Sequence, residues 1–300
     1  MSNRNFNRQY RLKAGVAGSV GFEIGAPSPP HYKALHISFS LERTDSSTLN
    51  TAKFSIWNLN KSQLNTLART NCLLELNAGY GEKRPCIFKG TVSNVITELD
   101  GADRLTEIEA IDGFAEVKDT FVSVSYRGKL YAKTLLDDTA NKMGLPIIYS
   151  ANAKTLASRH YFSRGYSYVG AGKNVLTAAC NIAGLVWSIQ NGTLQITKKN
   201  ESISTIAQVL SKDTGLIGIP KKIYNSAVAA GEDTGSTLQD SLFGYEVVYL
   251  MNGAIGVNDL VKLQSEEVTG IFRVYKLVID GDNLEGDWQC TAQLVEVGGA

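Results

Sequence analysis

The run Trp288-Gln-Cys-Thr-Ala-Gln-Leu-Val-Glu-Val297 sets Trp288, Cys290, Ala292 and Leu294 on one side and Gln289, Thr291 and Gln293 on the other. That is the period of two of a strand with one wet face. Ahead of it come Ile271 to Ile279, followed by an Asp/Gly/Asn-rich loop, then Val261 to Ser265, and then Tyr245 to Leu250. Asn252-Gly253 is expected to supply the positive-φ residues of a tight turn. Strands with one apolar face must curl or pack to hide it. Residues 243–297 therefore predict an antiparallel meander in a small β-barrel or sandwich.

The first 115 residues have the same grammar. A strand is expected from about Tyr10 to Ile24, ended by Gly25-Ala-Pro-Ser-Pro-Pro30, whose prolines forbid a continuing ladder. Leu35 to Leu41 and Thr51 to Trp57 alternate, with a turn at Asp45-Ser-Ser-Thr48. Asn60-Lys-Ser-Gln63 has the form of a capping box ahead of the stripe Leu64, Leu67 and Ala68, which predicts a brief helix. Leu73 to Ala78, Ile87 to Leu99 and Leu105 to Ile111 read as three more strands, turning at Gly79-Tyr-Gly81 and at Asp100-Gly101.

From Phe121 the pattern changes. Leu130 to Met143 and Val175 to Ala183 read as helices stopped by Gly144 and Gly184. Superposing them matches Leu136 with Leu176 and Asn141 with Asn181, each copy then entering an apolar strand, Ile147 to Tyr149 and Trp187 to Ile189. This is a loose internal repeat of helix, glycine stop and strand. The second copy continues through Gln190-Asn-Gly192 into Leu194-Gln-Ile196, a hairpin. Leu210 to Pro220 reads as an irregular bridge and Ala229 to Gln239 as a loop. The expected organisation is mainly β with an α+β insert: a β module over 1–115, an α+β middle domain over 116–200, and a linker and second β module over 201–300.

At 300 residues the chain exceeds what one hydrophobic core usually serves. Thirty Lys and Arg against 29 Asp and Glu leave a net charge of +1, which gives no overall attraction to a polyanion. The N-terminus lacks the apolar core of a signal peptide, and no apolar run is long enough to span a bilayer. Cys72, Cys86, Cys180 and Cys290 stand apart from one another and are expected to be buried thiols in a reduced compartment. Arg4, Arg8, Arg11 and Lys13 open the chain with no acid among them. They read as a frayed, solvated start, or as an arm reaching a neighbouring subunit.

The sequence carries no recognisable catalytic constellation. The three histidines, His31, His36 and His160, accompany no G-x-S-x-G. Gly170-Ala-Gly-Lys173 fails as a phosphate loop, because Ser167 stands where its first glycine is due and Asn174 where the Mg-binding hydroxyl is due. It is expected to be a turn entering the helix at Val175. Asp137 and Asp138, adjacent on a helix, diverge and are expected to be a solvated face. Tyr161, Tyr166 and Tyr168 with Arg159 and Arg164 are expected to make cross-strand aromatic contacts rather than a base-stacking platform. No enzyme activity, metal or cofactor is expected.

Several stretches, in this order, resemble the baseplate hub proteins of contractile bacteriophage tails, the late-control-D-like family. They are Leu49 to Leu59, Leu76 to Tyr80 leading to Ile87-Phe-Lys-Gly90, Thr106 to Gly113, Trp187 to Gly192, Leu210 to Pro220, and Thr269 to Val274 through Gly286-Asp-Trp288. The resemblance implies two tail-tube-like β-barrels per chain and a homotrimer whose six barrels join a sixfold tail tube to a threefold spike. It further implies a virion baseplate location after assembly in the host cytoplasm. The implied partners are the tube, the central spike, wedge proteins and the tape-measure protein, with DNA passing through and no membrane insertion. The chain is short for the family and ends at Ala300 with no lysozyme-like or needle extension, so spike and wall-cutting roles are expected elsewhere. The hub or tip of a related injection system or non-contractile tail, and a cell-wall-binding or hydrolysing tail component, are the alternative readings.

Overall fold

The structure is a computed structural model describing residues 7–25, 34–225 and 242–297. Arg4, His31, most of the proline-rich loop and the Ala229 to Gln239 loop lie outside the described residues. Mainly β architecture is observed, as expected from the alternation: 13 strands form one sheet, and three smaller sheets accompany five helices among the described residues.

The N-terminal part contributes β1 (Arg8–Gly15), β2 (Phe22–Ile24), β3 (Ile37–Thr44), β4 (Thr51–Trp57), α1 (Lys61–Leu67), β5 (Leu73–Tyr80), β6 (Cys86–Asp100) and β7 (Asp103–Ile111). The expected strand over 10–24 is instead a hairpin, because Gly15, Gly18 with φ +77° and Gly21 make a turn that brings Ile24 opposite Leu12. Alternation places Ile37, Phe39 and Leu41 of β3 and Ala52, Phe54 and Ile56 of β4 in the core. At α1 the capping box is present in full: Asn60 Oδ1 accepts from the Gln63 amide and Gln63 Oε1 from the Asn60 amide, each at 2.9 Å. At the other end of the β6–β7 hairpin, Gly101 (φ +62°) begins a two-residue loop.

The middle part holds α2 (Phe114–Asp119), β8 (Phe121–Tyr126), β9 (Leu130–Tyr131), α3 (Ala132–Met143), β10 (Ile147–Tyr149), α4 (Ala151–Arg159), β11 (Tyr161–Phe162), β12 (Tyr166–Ala171), α5 (Gly172–Ala183), β13 (Leu185–Gln190) and β14 (Thr193–Lys198). The helix, glycine stop, strand repeat is α3–Gly144–β10 and α5–Gly184–β13, with both glycines at left-handed φ, +70° and +63°. β14 unites the copies, pairing β10 in parallel and β13 antiparallel. Asn191 and Gly192, both at positive φ, close the β13–β14 hairpin. Helices α2 and α4 fall where no helix is expected, and α5 opens at Gly172, three residues before Val175. Val122 to Ile196 form a buried cluster of their own.

The C-terminal part comprises β15 (Ala207–Ser211), a 3-10 turn at Lys212–Thr214, β16 (Leu216–Asn225), β17 (Leu242–Leu250), β18 (Leu260–Gln264), β19 (Thr269–Asp282) and β20 (Trp288–Glu296). The stretch expected to be an irregular bridge is thus mostly strand. Its Gly218 (φ +68°) and Pro220 sit in a bulge between Ile217 and Lys221, where an edge strand tolerates both. The meander holds for β18, β19 and β20, but β17 pairs with β20 and β16 rather than with β18. Asn252-Gly253 makes no hairpin. Gly253 is small because the chain packs on Pro85 and Ile87, where a Cβ would lie 2.7 Å from Pro85 Cγ and 2.5 Å from Ile87 Cγ2.

The two β parts repeat one strand order. In the first, β1 pairs β5, then β6, β7, β4 and β3 follow across the sheet. In the second, β15 pairs β18, then β19, β20, β17 and β16 follow. Both long strands carry an irregularity at the same place, between Val92 and Asn94 on β6 and between Val274 and Lys276 on β19. The copies differ in that β1–β5 is antiparallel and β15–β18 parallel. They are joined by β19–β3 pairing, and buried side chains from both form one core. The N-terminal copy also curls on itself: Tyr10 Oη donates to the Leu35 carbonyl at 2.7 Å, just ahead of β3.

Tyr10, Leu12 and Ala14 of β1 are 0–4% exposed. Removing residues 1–13 therefore takes core side chains with it, against the frayed start expected from the sequence. Leu12→Ala is expected to destabilise the fold by about 2–5 kcal/mol in chemical denaturation.

Candidate assembly edges and the docked middle domain

A sheet that ends in open strands must guard or use its unpaired N–H and C=O groups. Two of its outer strands are short, β2 with three residues and β15 with five, and shortness itself limits pairing. Two longer edges remain. β5 leaves β6 after Thr91, and the Val92 amide still donates to the Cys72 carbonyl at 2.8 Å, so among the described residues Ser93–Asp100 is the stretch of β6 that pairs with β7 alone. β16 is paired only with β17. Both edges expose apolar side chains: Ile96 is 50% and Leu99 78% exposed on β6, and Ile217 40% and Ile219 69% on β16. The charges differ in sign. The β6–β7 hairpin carries Glu98, Asp100, Asp103, Glu107 and Glu109 against Arg104, whereas β16 carries Lys221 and Lys222.

The middle domain is fastened to the sheet through two buried arginines. Arg43, 6% exposed, follows Leu41 on the inward face of β3. It donates to Gln190 Oε1 from Nε at 3.3 Å and from Nη2 at 3.2 Å, and from Nη1 to the Ile87 carbonyl at 3.4 Å. Asn50 Nδ2 donates to the Ile189 carbonyl at 2.7 Å, and Gln190 Nε2 to the Thr44 carbonyl at 2.7 Å. The Asn191 and Gly192 amides both donate to the Asp112 carboxylate, so the tip of the β13–β14 hairpin sits in a polar socket. Burial pushes the Asp112 carboxyl up, against the pull of the Gly192 amide and of Arg43, and burial pushes Arg43 down. Arg273, 1% exposed, donates at 2.6 Å to Asp45 Oδ2 and to Asn258 Oδ1, and Asn258 Nδ2 reaches Gln195 of β14 at 2.9 Å. Above this seam lies an open cavity of about 330 Å³ bounded by Asp45, Trp187, Asn200 and Tyr275 among others.

The residues singled out from the sequence do not converge. Of the basic start, Arg8, Arg11 and Lys13 lie on β1. Arg8 Nη1 donates to the Asp282 carbonyl at 2.8 Å, Arg11 pairs with Glu23 at 2.8 Å, and Lys13 with Glu75 at 3.5 Å. His36 precedes β3, stacks on Trp57 with ring centroids 3.9 Å apart, and lies 3.0 Å from Asp282 Oδ2. Asp137 and Asp138 diverge as expected, yet they are not a solvated face: each is part-buried and accepts from a tyrosine hydroxyl, Tyr149 at 2.7 Å and Tyr126 at 2.6 Å. Gly170 and Ala171 end β12. Tyr161 faces Tyr131 across the β11–β9 pair with centroids 5.8 Å apart, the expected cross-strand aromatic contact. Cys72, Cys180 and Cys290 are buried and Cys86 is partly so; all are free. Among the described residues no group of three or more His, Cys, Asp or Glu is arranged to hold a metal. The arginine sockets escape the sequence reading, although the period of Ile37, Phe39 and Leu41 extends to Arg43 and marks it as facing inward.

No family model and no curated protein matches the sequence. Solved structures do share its fold. The 43 kDa tail protein of prophage MuSo2 from Shewanella oneidensis aligns with a TM-score of 0.59 at 10% identity, over 96% of this chain and 98% of that one. A tail protein from Neisseria meningitidis MC58 aligns at 0.62 and 11% identity, over 97% of both chains. A component of the E. coli type VI secretion system, described as similar in structure to T4 bacteriophage tail proteins, aligns at 0.58 and 8% identity, over 95% of this chain and 76% of its own. The chain thus has the mainly β fold found in phage tail proteins and in a type VI secretion component.

Burial works against ionisation of Asp282, but the Glu285 amide, His36 and the Leu284 amide outweigh it and hold its carboxyl below the usual range. A carboxyl depressed in the folded state stabilises above its unfolded pKa of about 3.9, and that contribution is lost as pH falls through the folded value. Asp282→Asn is therefore expected to lower the melting temperature at pH 7, and the gap to the wild type should close below about pH 4. Gln190→Ala, which strips a buried guanidinium of a partner, is expected to cost about 2–4 kcal/mol at neutral pH in chemical denaturation.

Proposed function

We propose that the chain is a structural subunit of a tail-like assembly, a hub ring in which three copies present six β modules between a sixfold tube and a threefold spike. The observation that carries this reading is the repeated strand order: one chain holds two copies of one module, which is what a threefold ring needs in order to offer six similar positions. Full-length likeness in fold to phage tail proteins supports it. So does the docking of the middle domain by hydrogen-bonded sockets rather than around a reactive cleft. In this reading the protein acts by shape and contact and not by catalysis, its partners are tube, spike and surrounding baseplate proteins, and it resides in the virion tail.

A net charge of +1 suits a channel wall that DNA passes without being held, since phosphate binding by a basic surface would retain it. Permanent contacts of this kind commonly bury on the order of 2,000 Å² or more, so the ring should persist on dilution. Sedimentation velocity and negative-stain images of concentrated protein, alone and mixed with its tube and spike partners, are expected to give a three-copy ring with a six-lobed rim. A single-chain particle under all of these conditions would refute the hub reading.

A further inference from the structure

Because the two modules repeat one strand order, positions on one have counterparts on the other. Asn94 of β6 faces Glu109 of β7 as Lys276 of β19 faces Gln293 of β20, each the first pair past the irregularity. Residues 94–100 thus correspond to 276–282. The latter form the junction with β3, from Lys276 opposite Thr44 to Asp282 opposite Ser38. On the other side of that junction, Ser40 of β3 faces Lys53 of β4, and Lys53 faces Glu109. Likewise Lys221 of β16 faces Glu246 of β17, and Glu246 faces Gln293. β16 is therefore the counterpart of β3, and Lys221 of Ser40. Inside the chain the β19 edge takes up the β3 edge. The same two half-junctions recur on β6 and β16, and among the described residues no strand covers either.

We propose that the outer half of β6 pairs antiparallel with β16 of a second copy of this chain, repeating between copies the β19–β3 junction that joins the two modules within one. Asp280 faces Ser40 in that junction, so register transfer sets Glu98 opposite Lys221 of the neighbour. The same transfer sets Thr97 opposite Lys222 and Ile96 opposite Ile223. An acid meets a base, as Glu42 and Lys276 do across the internal junction at 2.5 Å, and exposed Ile96 gains an apolar partner. Pro220 has no N–H to give, so the ladder starts at Lys221. The two edges differ, so copies join head to tail and a ring follows where the rotation closes. This names the contact of the ring proposed above and rests on that reading for its closure, although the edge match stands on the repeat itself.

Charge reversal tests it. Glu98→Lys and Lys221→Glu, both at exposed positions, are each expected to weaken self-association about tenfold in sedimentation velocity at fixed salt; Glu98→Lys leaves the thermal midpoint of the protomer unchanged, whereas Lys221→Glu lowers it slightly because Glu246 faces it across the β16–β17 pair. The double variant should recover to within about threefold of the wild type, a rescue that a merely structural effect would not give. Separately, oxidation of an equimolar mixture of Glu98→Cys and Lys221→Cys protomers is expected to give a disulfide-linked dimer in far greater yield than either variant alone. Single reversals without effect on a wild type that does associate, or cross-linking no better in the mixture, overturn the edge pairing and leave the ring reading standing. Wild-type protein that stays a single chain at every concentration, with and without tube and spike, and yields no mixed disulfide overturns both.

Discussion

Seven residue pairs between β19 and β3 turn two separate β modules into one sheet. The strands are more than 200 positions apart in the chain, so their backbone ladder is a long-range contact of high entropic cost. Its side chains are fitted to it. Gly281 stands opposite Phe39, whose ring occupies the space a Cβ would need. Asp282 closes the end of the ladder against His36 and takes the Leu284 and Glu285 amides into its turn. A single core then runs under both modules, so neither is free to rotate against the other.

The orientation of the middle domain depends on that sheet. Its β13–β14 hairpin is received where β3, β4 and β7 end, by Arg43, Asn50 and Asp112, and its β14 strand is tied through Asn258 to Arg273 of β19. A purely apolar contact would permit sliding, whereas these groups lose their hydrogen bonds if the domain shifts. Buried charge is not itself a large source of stability. Its effect here is to hold one domain arrangement.

Much of this was legible in the residues. Alternation located β3, β4 and β20, the Asn60–Gln63 capping box located α1, and Gly144 and Gly184 marked the ends of α3 and α5. The expected β, α+β, β succession follows from these local rules. What escaped depends on distant partners. Gly15 to Gly21 could pass for strand because nothing local reveals that Ile24 returns to Leu12. Gly218 and Pro220 looked like breakers because only the ladder with β17 shows them to be a bulge. Asn252-Gly253 has the residues of a hairpin turn, but β17 finds its partner in β20, and the glycine serves a close approach to Pro85 and Ile87. Asp137 and Asp138 looked solvated because Tyr126 and Tyr149 reach them from other elements. The edges were invisible for the same reason: that β6 outruns β5 is a property of the pairing and not of the strand's own sequence.

An unpaired strand edge is a hazard in any abundant protein, and this chain guards its edges unequally. β2 and β15 are too short to recruit much. β16 is interrupted by Gly218 and Pro220 and carries Lys221 and Lys222 beyond that bulge, and the β6–β7 hairpin is lined with acids. Two β6 edges brought together would bring like charges together, and so would two β16 edges, which is destabilising in directly facing pairs. The mixed pair escapes this repulsion, so the same charges that prevent self-matching of either edge leave the head-to-tail match open. Guarding against aggregation and selecting a directional contact are then a single design, written in the sign of the charge on two strands that occupy corresponding borders of a duplicated module.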